Sequence, residues 1–294
     1  FFFKQKTAYE IPKRDWSSDV CSSDLEPSSV LSPSAVEKLF KTLRAIRREG
    51  CAILYISHKL DEIRSLCDTA TILRAGRVTG SCIPRNETPQ SLAKMMIGKE
   101  FDRPKRAAMV PGKTVLALHQ CSKVAGTPFG VDLHDINLSV RAGEILGIAG
   151  ISGNGQNELC GLLSGEVLAD SADAIEFLGA PIGLAGVGVR RSQGLAYVPE
   201  DRLSRGSVTS MSLTENLMLT GGMTLGLVKS GMLQLSKATA LTKDCIDHFN
   251  VKASGPHAAA GSLSGGNLQK FIAGREMMQK PKAMICAQPT WGVD

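Results

Sequence analysis

No apolar run in this 294-residue chain approaches the roughly 20 residues that a helix needs to cross a bilayer. The strongest run, Ile145-Leu-Gly-Ile-Ala-Gly-Ile151, is seven residues long and holds two glycines, so the chain is not expected to cross a membrane itself. No C-x-x-C pair occurs among the eight cysteines (21, 51, 67, 82, 121, 160, 245, 286), which argues against a zinc site and a disulfide framework. Reduced thiols in a cytosolic setting are expected, and no metal-ligating set is assigned. Charge of one sign is also scarce: 34 Lys plus Arg against 28 Asp plus Glu leave +6, too dispersed to indicate nucleic acid. What remains is 43% hydrophobic and 21% charged, an ordinary globular composition that excludes disorder as the main state and suits about two domains.

Residues 1–25, FFFKQKTAYEIPKRDWSSDVCSSDL, show no helical or alternating period and lack the n-region, h-region and cleavage site of a signal peptide. The string is similar to the in-frame translation of a short-read sequencing adapter, most tellingly at WSSDVCSSDL. It is read as a non-native segment, with a native disordered tail as the alternative. On this reading native sequence starts at Glu26.

From Ser32 a Ser-Pro start leads into Val36, Leu39, Phe40, Leu43 and Ile46 on one helical face, with Gly50 as the stop. CAILYI (51–56) has the length and continuous apolarity of a strand buried on both faces, and a helix from about Leu60 to Cys67 follows. Two short strands around Ala75-Gly76 and a helix from Thr88-Pro89 to near Gly98 complete a first α/β unit. Residues 99–113, charged and with two prolines, read as a linker. A second unit over 114–294 shows strands at TVLALHQC, DINLSV and EILGIAG, a glycine-rich turn, a helix from about Gln156, and the strand AMICAQ near the end.

Gly150-Ile-Ser-Gly153-Asn-Gly155-Gln156-Asn157 follows an expected apolar strand and opens a helix, where backbone N–H groups cradle an anion in phosphate loops. Such loops read G-x-x-x-x-G-K-[ST], and here Gln156 and Asn157 replace the lysine and the hydroxyl residue. The dinucleotide pattern G-x-G-x-x-G fails too, because Glu158 stands where its third glycine belongs. Alone, the turn fits nucleotide binding and a plain tight turn equally.

About 110 residues later, Leu263-Ser264-Gly265-Gly266-Asn267-Leu-Gln-Lys270 starts a second helix with a hydroxyl and glycine N–H groups at its positive end. This motif resembles the signature of ABC transporter ATPases, in the sugar-importer branch that carries Asn at its fifth position. AMICAQPTWGVD, about twenty residues on, is similar to that family's Walker B strand and D-loop, ending at Asp294. Tyr197-Val-Pro-Glu200-Asp-Arg202 resembles its Q-loop segment, with Glu200 at the usual Gln.

The resemblance implies a P-loop NTPase fold of the ABC type, one domain partial (26–98) and one nearly complete (114–294, truncated after the D-loop). ATP and Mg²⁺ are the implied cofactors. Walker B carries an Asp that holds Mg²⁺ and a Glu that polarises water; Ala287 and Gln288 occupy those places here, which implies a degenerate, non-hydrolysing site. Glu26 resembles the catalytic carboxylate at the tail of a first Walker B motif, and His58, after CAILYIS, the switch histidine. The ATP-binding set is then Gly150, Gly153, Gly155, Gln156, Asn157, Ser264, Gly265, Gly266 and Asn267. The pairing of GNGQNE with AQPT resembles the purine-nucleoside branch more than the ribose or galactose branch. Implied partners are membrane permease subunits and, indirectly, an extracytoplasmic solute-binding protein, with a peripheral location on the cytoplasmic face of the membrane. Two alternatives stay open: a non-hydrolysing regulatory or scaffold pseudo-ATPase, and a soluble ABC protein.

Overall fold

The computed structural model describes residues 31, 33–74, 76–98, 110–151 and 153–290. Glu26, Asp294, the 1–25 segment and most of the linker lie outside the described residues. The chain divides into two compact units, broken between residues 106 and 107.

In the first unit, α1 (Pro33–Arg48) forms where the apolar period placed it, and Gly50 closes it at φ +88°. Phe40 is buried, Val36, Leu39 and Leu43 are half-buried, and Ile46 is exposed. Tyr55 meets Phe40 edge-on with ring centroids 6.2 Å apart, and its hydroxyl donates to Glu62 at 2.7 Å on α2 (Leu60–Leu66). Strands β1 (Ala70–Arg74) and β2 (Arg77–Cys82) pair antiparallel. Helix α3 (Pro89–Ile97) starts with a capping box between Thr88 and Ser91 and ends at Gly98, φ +78°.

Residues 51–56 are not a strand. Ile53, Leu54 and Ile56 are exposed, Leu54 at 89%. A strand exists only through a ladder with a neighbour, and among the described residues no strand pairs with this segment. Its apolar run records a burial that these residues do not supply locally.

The second unit holds three sheets among the described residues. Strands β3 (Thr114–Lys123), β4 (Leu133–Arg141), β5 (Ile175–Phe177) and β6 (Ala180–Pro181) form an antiparallel sheet in the order β4-β3-β5-β6. Strand β7 (Leu195–Val198) pairs in parallel with β10 (Ala283–Cys286), matching Tyr197 to Ile285 and Val198 to Cys286. A small hairpin joins β8 (Val228–Lys229) to β9 (Met232–Leu233) through Ser230 and Gly231, both at positive φ, the geometry a two-residue turn demands. Helices α4 (Gln156–Ser164), α5 (Val187–Ser192), α6 (Leu213–Gly221), α7 (Leu235–His248) and α8 (Gly265–Met278) complete it.

Two apolar cores flank the parallel pair. One joins α4 to the antiparallel sheet through Leu116, Leu162, Ile175 and Phe177; the other joins α6, α7 and α8 through Leu217, Cys245, Leu268 and Phe271. Alternation along the strands divides them between the cores: Leu195, Ala283 and Ile285 pack on the first, Val198 and Met284 on the second. EILGIAG (144–150), expected as a strand, has no strand assignment and is exposed, Ile145 at 86%. The reason is the same as at 51–56: neither β7 nor β10 has a further neighbour among the described residues.

Candidate functional site

Helix α8 begins at a corner with free donors. Its ladder opens with the Leu268 N–H on the Ser264 carbonyl at 2.9 Å, so the N–H groups of Gly265, Gly266 and Asn267 are those a helix start leaves unsatisfied. Ser264 holds the N-cap position with extended backbone (φ −61°, ψ 153°), yet its side chain makes no capping bond to the helix. Instead Ser264 Oγ accepts from Asn267 Nδ2 at 2.8 Å, while Asn267 Oδ1 accepts the Lys252 backbone N–H at 2.8 Å. Ser264 is exposed and Asn267 half-buried. Arg202 comes from the loop after β7: a Cβ on Gly265 would lie 2.9 Å from its guanidinium carbon, so glycine there permits the close approach. Dipole, hydroxyl and guanidinium together suit an anion.

That loop is tied down on both sides. Asp201 accepts the Ser204 hydroxyl on Oδ2 and the N–H groups of Ser204 and Leu203 on Oδ1, the latter two each at 3.0 Å, and these bonds, the hydroxyl's first, hold its carboxyl below the usual carboxylate range. Ser207 Oγ donates to the Arg202 carbonyl at 2.7 Å, and Arg275 on α8 donates to the Gly206 carbonyl at 2.5 Å. Because β7 and β10 run parallel, Glu200 leaves one strand where Ala287 and Gln288 leave the other. The Ala287 N–H donates to the Val198 carbonyl at 2.9 Å. Carboxyl ends of parallel strands are where α/β sheets take ligands. Burial, with Cys160 and Glu200 adding to it, pushes the phenol of Tyr197 on β7 up to about 12.

The glycine turn is closed by its own side chain. Gln156 Oε1 accepts the Asn154 N–H at 3.0 Å and Nε2 donates to the Ile151 carbonyl at 2.9 Å. A Cβ on Gly150 would lie 2.4 Å from that amide nitrogen. Gly153 and Gly155 adopt φ +84° and +95°, which β-carbon residues rarely tolerate. Asn157 follows Gln156 in the first turn of α4.

Residues 133–291 match the family model described as ABC transporter. This chain belongs to the ABC transporter family. It is 34% identical over 270 residues to the nucleoside import ATP-binding protein NupA of Lactococcus lactis, covering 92% of this chain and 53% of that protein. It is 33% identical over 270 residues to the ribose import ATP-binding protein RbsA of Halalkalibacterium halodurans, covering 92% and 52%. The chain thus spans about half the length of the curated relatives it matches. A solved dimer of the ATP-binding cassette MJ0796, in a post-hydrolysis state with ADP and Pi, matches at TM-score 0.50 and 17% identity over 61% of this chain and 76% of that one, a likeness of fold. The α/β fold is therefore the P-loop NTPase fold of ATP-binding cassettes.

Within this cassette, the structure brings Glu200, Ala287 and Gln288 to one edge of β7 and β10, and Ser264, Gly265, Gly266 and Asn267 to the α8 corner with Arg202. His58 lies in the first unit, exposed, between Ser57, whose Oγ accepts the Lys59 N–H at 3.0 Å, and α2. It follows a segment without strand structure, unlike the strand-end position expected for it. Arg202 was visible only as part of PEDR; its contact with Gly265 spans 63 positions and leaves no local signal. The Arg191–Glu276–Arg275 cluster was not legible either: Glu276, fully buried on α8, meets Arg191 at 2.5 Å and Arg275 at 3.1 Å. Burial holds the Arg275 pKa below its usual value against the opposing pull of Glu276. This cluster borders a cavity of about 250 Å³ that also meets Tyr197 and the Arg205–Glu166 pair. Among the described residues no helix is long and apolar enough to cross a membrane.

Proposed function

We propose that this chain is part of an ATP-binding subunit that powers import of a nucleoside or simple sugar through membrane permease subunits. The α8 corner carries the reading: a serine hydroxyl, three open N–H groups and an adjacent guanidinium suit the terminal phosphate of ATP bound with a second cassette domain. Names of relatives such as NupA and RbsA support nucleoside and sugar as the solute classes. On this reading the subunit is peripheral, on the cytoplasmic face of the membrane, and meets an extracytoplasmic solute-binding protein only through the permease.

Residues 26–98 are then the end of one ABC domain, 99–113 a linker and 114–294 a second domain. One ATP site pairs Glu26, as the carboxylate that polarises water, and His58 with Ser264, Gly265 and Gly266. The other, lined by Gly150, Gly153, Gly155, Gln156, Asn157, Glu200, Ala287, Gln288 and Asp294, is non-hydrolysing. The donor set fits that split. Neither Ala287 nor Gln288 supplies a carboxylate for Mg²⁺, and Gln156 brings no charge to a phosphate while its amide occupies the turn. When bound, Mg²⁺ would neutralise phosphate charge at the first site, and the chain's own residues there orient the terminal phosphate and the water.

The non-hydrolysing alternative draws on the same Gln156 closure, and one experiment separates the two. In the longer protein, Glu26→Gln is expected to lower steady-state ATP hydrolysis by roughly a hundredfold or more while ATP binding persists. Unchanged hydrolysis refutes the assignment. The 294-residue chain alone, without a G-K-[ST] loop, is expected to show no single-turnover hydrolysis.

A further inference from the structure

The side chain of Asn267 bonds in only one sense. A backbone N–H is purely a donor, so the Lys252 N–H at 2.8 Å fixes which amide atom faces it: Oδ1. Nδ2 must then face Ser264, and an amide NH₂ only donates. Ser264 Oγ, 2.8 Å away, is therefore the acceptor, and its own proton cannot lie along that bond. Nor does the hydroxyl cap its helix, the usual task of a serine at this position.

We propose that Asn267 is a positioning residue: it turns the Ser264 hydroxyl proton outward, so that the α8 corner presents an O–H donor beside the open N–H groups to a phosphate oxygen. Asn267 itself need not touch the nucleotide. The Lys252 segment acts as the anchor, and a change there reaches the phosphate through one amide. An aspartate in place of Asn267 keeps an acceptor for Lys252 but offers Ser264 a second acceptor, so the hydroxyl proton turns inward.

The proposal rests on the nucleotide-binding reading, and the test separates them. ATP affinity of the longer protein, whose further cassette sequence completes this site, is measured by titration calorimetry for the wild type, Ser264→Ala, Asn267→Asp and the double variant. Ser264→Ala alone is expected to weaken binding roughly tenfold or more, the loss of one hydrogen bond to a charged group. In the Asn267→Asp background it should change affinity by no more than about twofold, because the donor is already lost. The added negative charge weakens both members of that second pair equally and cancels. Equal losses in the two backgrounds overturn the role of Asn267 and leave the nucleotide reading standing. Wild-type binding indifferent to Ser264→Ala puts the phosphate elsewhere and also overturns it. No ATP binding by the wild-type longer protein overturns the nucleotide reading. The geometry is read separately from the Asn267 side-chain amide signals in ¹⁵N spectra without ligand, which should shift on Ser264→Ala; no shift refutes the hydrogen bond.

Discussion

Arg190 is fully buried, and its guanidinium makes five hydrogen bonds to backbone carbonyls. Nε donates to Ala185 at 2.7 Å, Nη1 to Leu162 and Leu163 at 2.5 and 2.9 Å, and Nη2 to Ile182 and Gly183 at 2.9 and 3.2 Å. Leu162 and Leu163 lie in the last turn of α4, whose last carbonyls lack helical partners. Gly165, at φ +86°, leaves room there: a Cβ would lie 2.9 Å from Nε. Ile182 and Gly183 also accept N–H groups from Ala185 and Ala169, so they keep a partner if Arg190 is lost. Leu162, Leu163 and Ala185 have no other partner among the described residues. In Arg190→Met the stem volume stays and the buried charge leaves with its desolvation cost, so the penalty is the three orphaned carbonyls. At about 1 kcal/mol each, the loss is about 3 kcal/mol. Urea unfolding followed by circular dichroism gives the total, and hydrogen exchange over α4 locates it. A loss below about 1 kcal/mol, or faster exchange everywhere except α4, refutes the reasoning.

Gln269 on α8 is 2% exposed, and neither amide atom has a hydrogen-bond partner among the described residues. Gln269→Leu is expected to raise stability by about 1–2 kcal/mol in urea unfolding, with no change in m-value. Tyr197 and Cys245 are both pushed up to about 12 by burial, from 10 and 9. Each is held neutral in the folded state, so the stability they contribute is present below pH 9 and falls as pH rises through 9 and 10 towards 12. Tyr197→Phe should flatten the part of that slope above pH 10 in unfolding measured as a function of pH.

Short-range signals located much of the fold. The Thr88–Gly98 helix is bounded by a capping residue, a proline and a left-handed glycine, all within one turn of its ends. Apolar spacing between a Ser-Pro start and a glycine stop placed α1, and the Leu263–Lys270 string placed the start of α8. Of the candidate site, the donors at Ser264–Asn267 and the missing carboxylates at Ala287 and Gln288 are matters of residue identity, so they too were legible. The apolar runs 51–56 and 144–150 were not reliable guides. Helical hydrogen bonds close within four residues, but a strand's ladder is completed by chain far away in sequence, and apolarity announces a need for burial without naming the partner.

The sequence by itself determined helices α1 to α4 and the start of α8, where the phosphate-type turn and the signature-like helix start lie, and which chemistry Gln156, Ala287 and Gln288 cannot perform. Tertiary structure alone decided that β7 lies beside β10, bringing Glu200 to the edge with Ala287, and that Arg202 rests on Gly265. It also decided that the Lys252 backbone, fifteen residues before Asn267, sets the sense of that amide. Those relations are distances between residues remote along the chain. They come into being when two apolar cores close on the faces of a parallel pair, a packing event that no window of sequence contains.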